Sequence, residues 1–205
     1  VSVNHLKSKG SACDVPDQGD GQGNCAAVRT TSANLLRAWL ASDPTDTGEE
    51  DVLIIGDLNS YAMEDPITAL TGNGYTNLLS TFIGAGAYSY AFDGQWGYLD
   101  HALASASLAS QIAGVTEWHI NADEIPLFDY NDDARTADEA SFEEESDFLP
   151  LYEPNEFRTS DHDPVIIGLN LTNDAPELGD ITVSPDLAAA GATVTASVPF
   201  TDADI

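Results

Sequence analysis

Four short blocks carry side chains able to move protons or hold hard cations. His5 stands in Asn4-His5-Leu6-Lys7-Ser8-Lys9-Gly10. Asp57 and Asn59 lie in Gly56-Asp57-Leu58-Asn59, directly after the apolar run Val52-Leu53-Ile54-Ile55. Asp100 sits in Tyr98-Leu99-Asp100-His101. Asp161 and His162 belong to Ser160-Asp161-His162-Asp163-Pro164, just ahead of Val165-Ile166-Ile167. Strand ends at a sheet edge are where α/β proteins build sites. A carboxylate in an apolar strand is costly unless paired, so Asp100 calls for a partner. An Asp-His-Asp run before a buried strand can orient the imidazole or bind a metal. Each block alone also has an ordinary reading: a surface strand histidine, an Asx turn or a polar turn. Their weight comes from the set.

The elements that must position these residues follow from patterning. The alternation Val1 to Leu6 reads as a strand already under way. Ala26 to Ala41 reads as a helix with Val28, Leu35, Leu36, Trp39 and Leu40 on one face. Asn24 is its expected N-cap, and Pro44 stands just past its end. Asp43 to Asp51 is an acidic surface loop. Val52 to Ile55 suits a strand buried on both faces. Pro66 opens a short helix to about Leu70. Tyr88 to Phe92, Tyr98 to Ala104, Val115 to Asn121 and Val165 to Asn170 read as further strands. The fold class is therefore α/β (α+β).

Near Thr172 the character changes to an Ala/Thr/Val-rich stretch with no aromatic until Phe200. Alternation at Ile181-Thr182-Val183 and Val194-Thr195-Ala196-Ser197-Val198 reads as the opening strands of an Ig-like or PKD-like β-sandwich module. The expected organisation is a catalytic region over 1–171, then a linker and truncated module over 172–205. With neither a starting Met nor a closing element, the chain reads as a piece of a longer protein.

Composition narrows the class. Six Lys plus Arg against 35 Asp plus Glu give a net charge of −29, yet hydrophobic residues at 42% suffice for a packed core. No run of about 18 apolar residues exists, so no membrane-spanning helix is expected. No basic tract is present, which argues against an electrostatically driven duplex clamp. Residues 121–163 hold 15 acidic residues, and Asn131 to Ser146 reads as a solvated insertion.

Cys13 and Cys25 bracket a Gly/Asp-rich segment. No second Cys or His pair stands at zinc spacing, which leaves a disulfide or two buried thiols. A disulfide here would add about 3 kcal/mol by the chain-entropy estimate and imply an oxidising compartment. Within the loop, Asp14, Asp17, Asp20 and Asn24 offer hard oxygens for a structural Ca²⁺, the alternative being a solvated Gly/Asp loop.

In this order, the four blocks resemble the endonuclease/exonuclease/phosphatase superfamily of the DNase I-like fold. The Cys13–Cys25 loop and the ending Arg158-Thr159-Ser160-Asp161-His162-Asp163-Pro164-Val165 look closest to large secreted bacterial extracellular nucleases. The resemblance covers residues 1–171 and implies the second half of a four-layer α/β sandwich; the first half would supply an Asn and a Glu for the metal. It implies a secreted phosphodiesterase acting on DNA, and RNA as a further substrate, with Mg²⁺ or Mn²⁺. Asp57 would activate or position the water, and Asn59 would hold Asp57 and the phosphate. His162 would contact the phosphate or act as base, oriented by Asp100. Asp161 would bind the cation, and His5 would assist the leaving group or bind phosphate. The piece alone is expected to be inactive.

Alternatives within the fold are a phosphomonoesterase or a lipid phosphodiesterase. A calcium-dependent surface or adhesion module is the alternative of another class. Independently of any family, three of the six basic residues, Lys7, Lys9 and Arg158, flank these blocks, which marks a local phosphate site in a negative surround.

The charge makes a prediction. The Debye length falls from about 30 Å at 0.01 M salt to about 3 Å at 1 M. Between about 0.05 and 0.5 M NaCl the melting temperature should rise, and activity of the full-length enzyme on DNA should hold or rise. A steep monotonic fall in kcat/KM over a NaCl series would show that phosphate contacts outweigh the global charge.

Overall fold

The apolar run after Val52 becomes the middle of a four-stranded sheet. The computed structural model describes residues 1–124, 156 and 159–171, with backbone strands at 177–178, 182–184, 195–197 and 200–201. The Asn131 to Ser146 insertion and Arg158 lie outside the described residues. Two compact units are present, Val1–Leu169 and Asn170–Ile205.

In the first unit, β1 (Ser2–Val3), β2 (Leu53–Asp57), β6 (Asp100–Ala104) and β3 (Thr76–Asn77) form one sheet in the order β1-β2-β6-β3. β1 runs parallel to β2, and β6 runs antiparallel to both β2 and β3. Between them lie α1 (Ala26–Leu40), α2 (Asp65–Thr71) and α3 (Leu78–Phe82). β4 (Tyr90–Phe92) and β5 (Gln95–Gly97) make a hairpin. α4 (Ala106–Ala109) leads to β7 (Ile112–Glu117), which pairs with β8 (Val165–Leu169).

Side-chain alternation along β2 and β6 gives the sheet two faces. Ile54 and Leu103 pack with Leu58, with Ala33 of α1 and with Ile67 and Leu70 of α2, all fully buried. Leu53, Ala102 and Ala104 pack on the other face with Leu78 and Leu79 of α3, and Val115, Val165 and Ile167 of β7 and β8 lie against them. Truncating a residue such as Leu70 to Ala would cost about 2–5 kcal/mol.

The expected helix 26–41 is α1, but its buried face differs. Arg29 and Ala33 are buried, and Leu36 and Leu40 pack on the core, whereas Val28, Leu35 and Trp39 are exposed, Leu35 at 66%. The guanidinium of Arg29 takes an interior place that periodicity had given to Val28. Asn24 is not the N-cap: Cys25 holds that position at φ 64° without a side-chain bond, and the Asn24 amide donates to the Lys9 carbonyl instead.

The strand expected from Tyr88 starts at Tyr90, because the Tyr88 amide donates to Glu117 and its ring stacks on His119. The strand expected to run to Asn121 ends at Glu117, because the amides of Ile120, Asn121 and Ala122 converge on the Asp163 carboxylate. β3, β5, α3 and α4 are too short to announce themselves in hydrophobic periodicity.

In the second unit β10 (Thr182–Ser184) pairs with β11 (Thr195–Ser197), and β9 (Glu177–Leu178) pairs with β12 (Phe200–Thr201), both antiparallel. No described helix is long and apolar enough to cross a membrane.

His101, beside the site on β6, is 1% exposed. Its Nε2 lies 2.7 Å from the Ser60 carbonyl, and its Nδ1 is buried without a hydrogen bond. Burial outweighs the Ser60 bond and the Asp100 charge and pushes its pKa down to about 4. The unfolded chain therefore takes up this proton first, and stability is lost as pH falls from about 6.5 towards 4, by about 3 kcal/mol in full. His101→Gln keeps an N–H for Ser60 and removes the titration. Denaturant melts at pH 4.5 and 7 should show a smaller stability difference in the variant than in the wild type.

Candidate functional site

Asp57 ends β2 and Asp100 begins β6, and the two pair directly across the ladder. Both lie on the face that carries β7 and β8, so alternation alone brings two carboxylates together at one end of the sheet. β1 crosses beside them. Its ladder continues past Val3, with the Asn4 amide donating to Ile55 O at 2.8 Å and the Leu6 amide to Asp57 O at 3.0 Å. Gly56 makes this approach possible: at φ 117°, a Cβ would lie 2.1 Å from the Asn4 carbonyl oxygen. The same ladder sets His5 Nε2 3.3 Å from Asp57 Oδ2.

Asn59 clamps the carboxylate from the other side. It adopts φ 49°, a left-handed turn that asparagine tolerates. Its amide donates to Asp57 Oδ1 at 2.7 Å, and its Nδ2 donates to Asp57 Oδ2 at 2.9 Å and to Leu6 O at 3.0 Å. Burial raises the Asp57 pKa. The Asn59 amide opposes that shift, Asp100 adds to it, and His162 and His5 oppose it.

His162 faces this cluster from the turn before β8. Its Nδ1 lies 2.6 Å from Asp100 Oδ2, and the Ser89 hydroxyl donates to the same oxygen at 2.7 Å. Ser89 Oγ in turn accepts the amides of Leu99 and Asp100, and the Asp163 amide donates to Ser89 O. The Tyr90 ring stacks on the imidazole at 4.6 Å. Burial works to lower the His162 pKa, but the Asp100 hydrogen bond and charge outweigh it, with Asp57 and Asp161 adding, so the pKa is raised. With Nδ1 held by Asp100, Nε2 is the nitrogen available to the cavity.

The third wall is the loop closed by the Cys13–Cys25 disulfide, whose Cα atoms are 5.3 Å apart. Arg29 ties it to the sheet. The fully buried guanidinium donates to Asn24 O at 2.6 Å, Gln22 O at 2.8 Å, Lys7 O at 3.3 Å and Ser60 Oγ at 3.1 Å. Glu64 Oε2 is 3.8 Å away and completes the charge pair. Burial lowers the Arg29 pKa, while Glu64 and Asp57 raise it. Lys9 bonds Glu64 through its ammonium, which also lies 4.7 Å from the Tyr61 ring centroid.

Together these walls enclose a cavity of about 890 Å³, lined by His5, Lys9, Asp57, Asn59, Asp100, Asp161 and His162 among others. Lys7 is elsewhere: its ammonium donates to Ser11 Oγ at 2.7 Å, and it does not line the cavity. Asp17 and Asp20 cap the amides of Gly19 and Gln22 as Asx turns. Asn24 is engaged by Lys9 O, and Asp14 is exposed. Among the described residues no group of three or more His, Cys, Asp or Glu is placed to hold a metal. Asp57 and Asp161 nevertheless present hard oxygens to one cavity, and Mg²⁺ is commonly held by one or two carboxylates while keeping its waters.

Sequence reasoning missed Arg29, Glu64, Ser89, Tyr61 and Tyr90. A basic side chain inside an otherwise acidic chain's amphipathic helix was a usable signal for Arg29. Nothing in Ala87-Tyr88-Ser89-Tyr90 marks Ser89. Asp163 also differs from its neighbours in role. It is 1% exposed, lies 2.9 Å from His119 Nδ1 and collects three amides, so it anchors the chain rather than the cavity.

Arg29→Met should destabilise the protein by about 3–5 kcal/mol, because it leaves Glu64 buried and three carbonyls unpaired. Combining it with Glu64→Gln should recover part of that loss in denaturant melts; strict additivity would show that the pair is not coupled.

No family model, curated protein or solved structure matches the chain.

Proposed function

We propose that residues 1–171 belong to a DNase I-like four-layer sandwich domain, and that the protein is a secreted, divalent-cation-dependent phosphodiesterase acting on DNA. One observation carries the reading: a carboxylate-held imidazole, His162–Asp100 at 2.6 Å, and the His5–Asp57–Asn59 cluster line the same cavity. The disulfide supports an oxidising compartment.

The chemistry follows from the two raised pKa values. Asp57, whose proton affinity burial raises, takes the proton of the attacking water, while Asn59 fixes which way its oxygens face. The water oxygen bonds to phosphorus as the bond to the leaving oxygen breaks. His162, whose imidazolium form Asp100 favours, stabilises the charge on the phosphoryl oxygens. His5 gives its proton to the leaving oxygen. A Mg²⁺ or Mn²⁺ held by Asp161 would supply further charge neutralisation there. Lys9 lines the same cavity and adds a local cation in a chain of net charge −29.

In the full-length protein, His162→Ala should lower kcat/KM on plasmid DNA by several orders of magnitude, and EDTA should abolish cleavage. Bis-p-nitrophenyl phosphate should be a substrate, and p-nitrophenyl phosphate a far poorer one. The pH profile should be bell-shaped. Its acid limb belongs to Asp57, whose pKa burial raises above the ordinary aspartate range, and its alkaline limb to loss of the imidazolium charge on which the phosphate and the leaving oxygen depend. A His162→Ala loss below about tenfold would remove His162 from the mechanism.

A further inference from the structure

One side of the cavity is aromatic. Tyr61, Tyr90 and Phe92 all line it. Two of these rings are already engaged, Tyr90 on the His162 imidazole and Tyr61 by the Lys9 ammonium. Phe92 is 58% exposed, and no ring or cation is paired with it among the described residues.

Its presentation is fixed by the hairpin. β4 and β5 pair Tyr90 with Gly97 and Phe92 with Gln95 on one face, and Ala91 with Trp96 on the other. Trp96 packs edge-on against Tyr88 at 4.6 Å and holds the outer face. The absence of a side chain at Gly97 lets the Tyr61 ring pack there, since a Cβ would come within 2.8 Å of it. The connection is the two-residue Asp93–Gly94 turn, with φ 49° and 73°, the tight type that matches strand twist. Phe92 therefore stands on a short, defined scaffold, two residues beyond Tyr90 and about 7 Å further along the strand. One nucleotide spans such a distance from phosphate to base.

We propose that Phe92 is a base-stacking subsite: a nucleobase next to the scissile phosphodiester lies on its ring while the phosphate sits between His162 and Asp57. This rests on the phosphodiesterase reading and adds to it a preference for strands with unpaired bases over duplex DNA, because a base in a duplex stack presents no free face. A lipid would meet the hairpin differently. Asp93 and Gln95 are both exposed at the tip, so bilayer insertion would bury a carboxylate first.

The test uses the full-length protein and single-stranded oligonucleotides with the base at the cleavage site intact or abasic. With cleavage blocked by EDTA, Phe92→Ala should bind the intact strand about tenfold more weakly than wild type, and Phe92→Trp should bind it as wild type does. Wild type should discriminate against the abasic strand by a similar factor, whereas in Phe92→Ala the two strands should differ less than twofold. Equal binding of intact strand by wild type and Phe92→Ala overturns the subsite and leaves the phosphodiesterase reading standing. Failure of wild type to cleave any phosphodiester overturns that reading, with stacking still decided by the binding series. Absence of oligonucleotide binding, or Phe92-dependent cosedimentation with phosphatidylcholine vesicles in its place, overturns the subsite.

Discussion

A single buried cation organises this molecule. Arg29 lies wholly inside, and an unpaired guanidinium there would be prohibitively costly. Its partners come from three separate stretches: carbonyls of the loop at 7–24, the Ser60 hydroxyl after β2, and Glu64 before α2. Satisfying one side chain therefore fixes how the loop, the strand end and the helix pair meet. Glu64 extends the constraint to Lys9, and Lys9 to Tyr61, so the basic and aromatic walls of the cavity are set by the same charge pair.

The opposite wall depends on a second economy of contacts around Ser89. Its hydroxyl donates to Asp100, its Oγ receives two strand amides, and its carbonyl receives the Asp163 amide. Asp100 is thereby aimed at His162. Adjacent residues then serve opposite sides of one turn: His162 joins the cavity, while Asp163 gathers the 120–122 amides and His119. Without that buried anchor, little would hold the imidazole where the carboxylate can reach it.

Much of the fold was legible in the sequence because its signals are local. An uninterrupted apolar run announced β2 and, by stopping at Gly56, placed Asp57 at a strand end, while Pro66 announced α2. Spacing also brought out Asp100 and His162, since a carboxylate in an apolar strand demands a partner. The buried face of α1 was not legible, because hydrophobic periodicity cannot foresee that an arginine will be drawn inward by carbonyls distant in sequence. Ser89, Tyr61 and Glu64 were hidden for the same reason: their contribution lies in long-range contacts that no spacing rule encodes. In the Asp-rich loop, Asp17 and Asp20 cap backbone amides, in keeping with the solvated Gly/Asp loop that its composition also offered.

The loop closed by Cys13–Cys25 supplies two of the carbonyls that Arg29 needs, and Lys9 enters just before it. Completion of the cavity is thus tied to an electron-transfer event, the oxidation of two thiols. In a reducing compartment the chain would keep those thiols, and Arg29 would have to gather its acceptors from an untethered loop at the full entropic cost of ordering it. Under the proposed function, that would make maturation a matter of address: the wall would close only where the two thiols are oxidised.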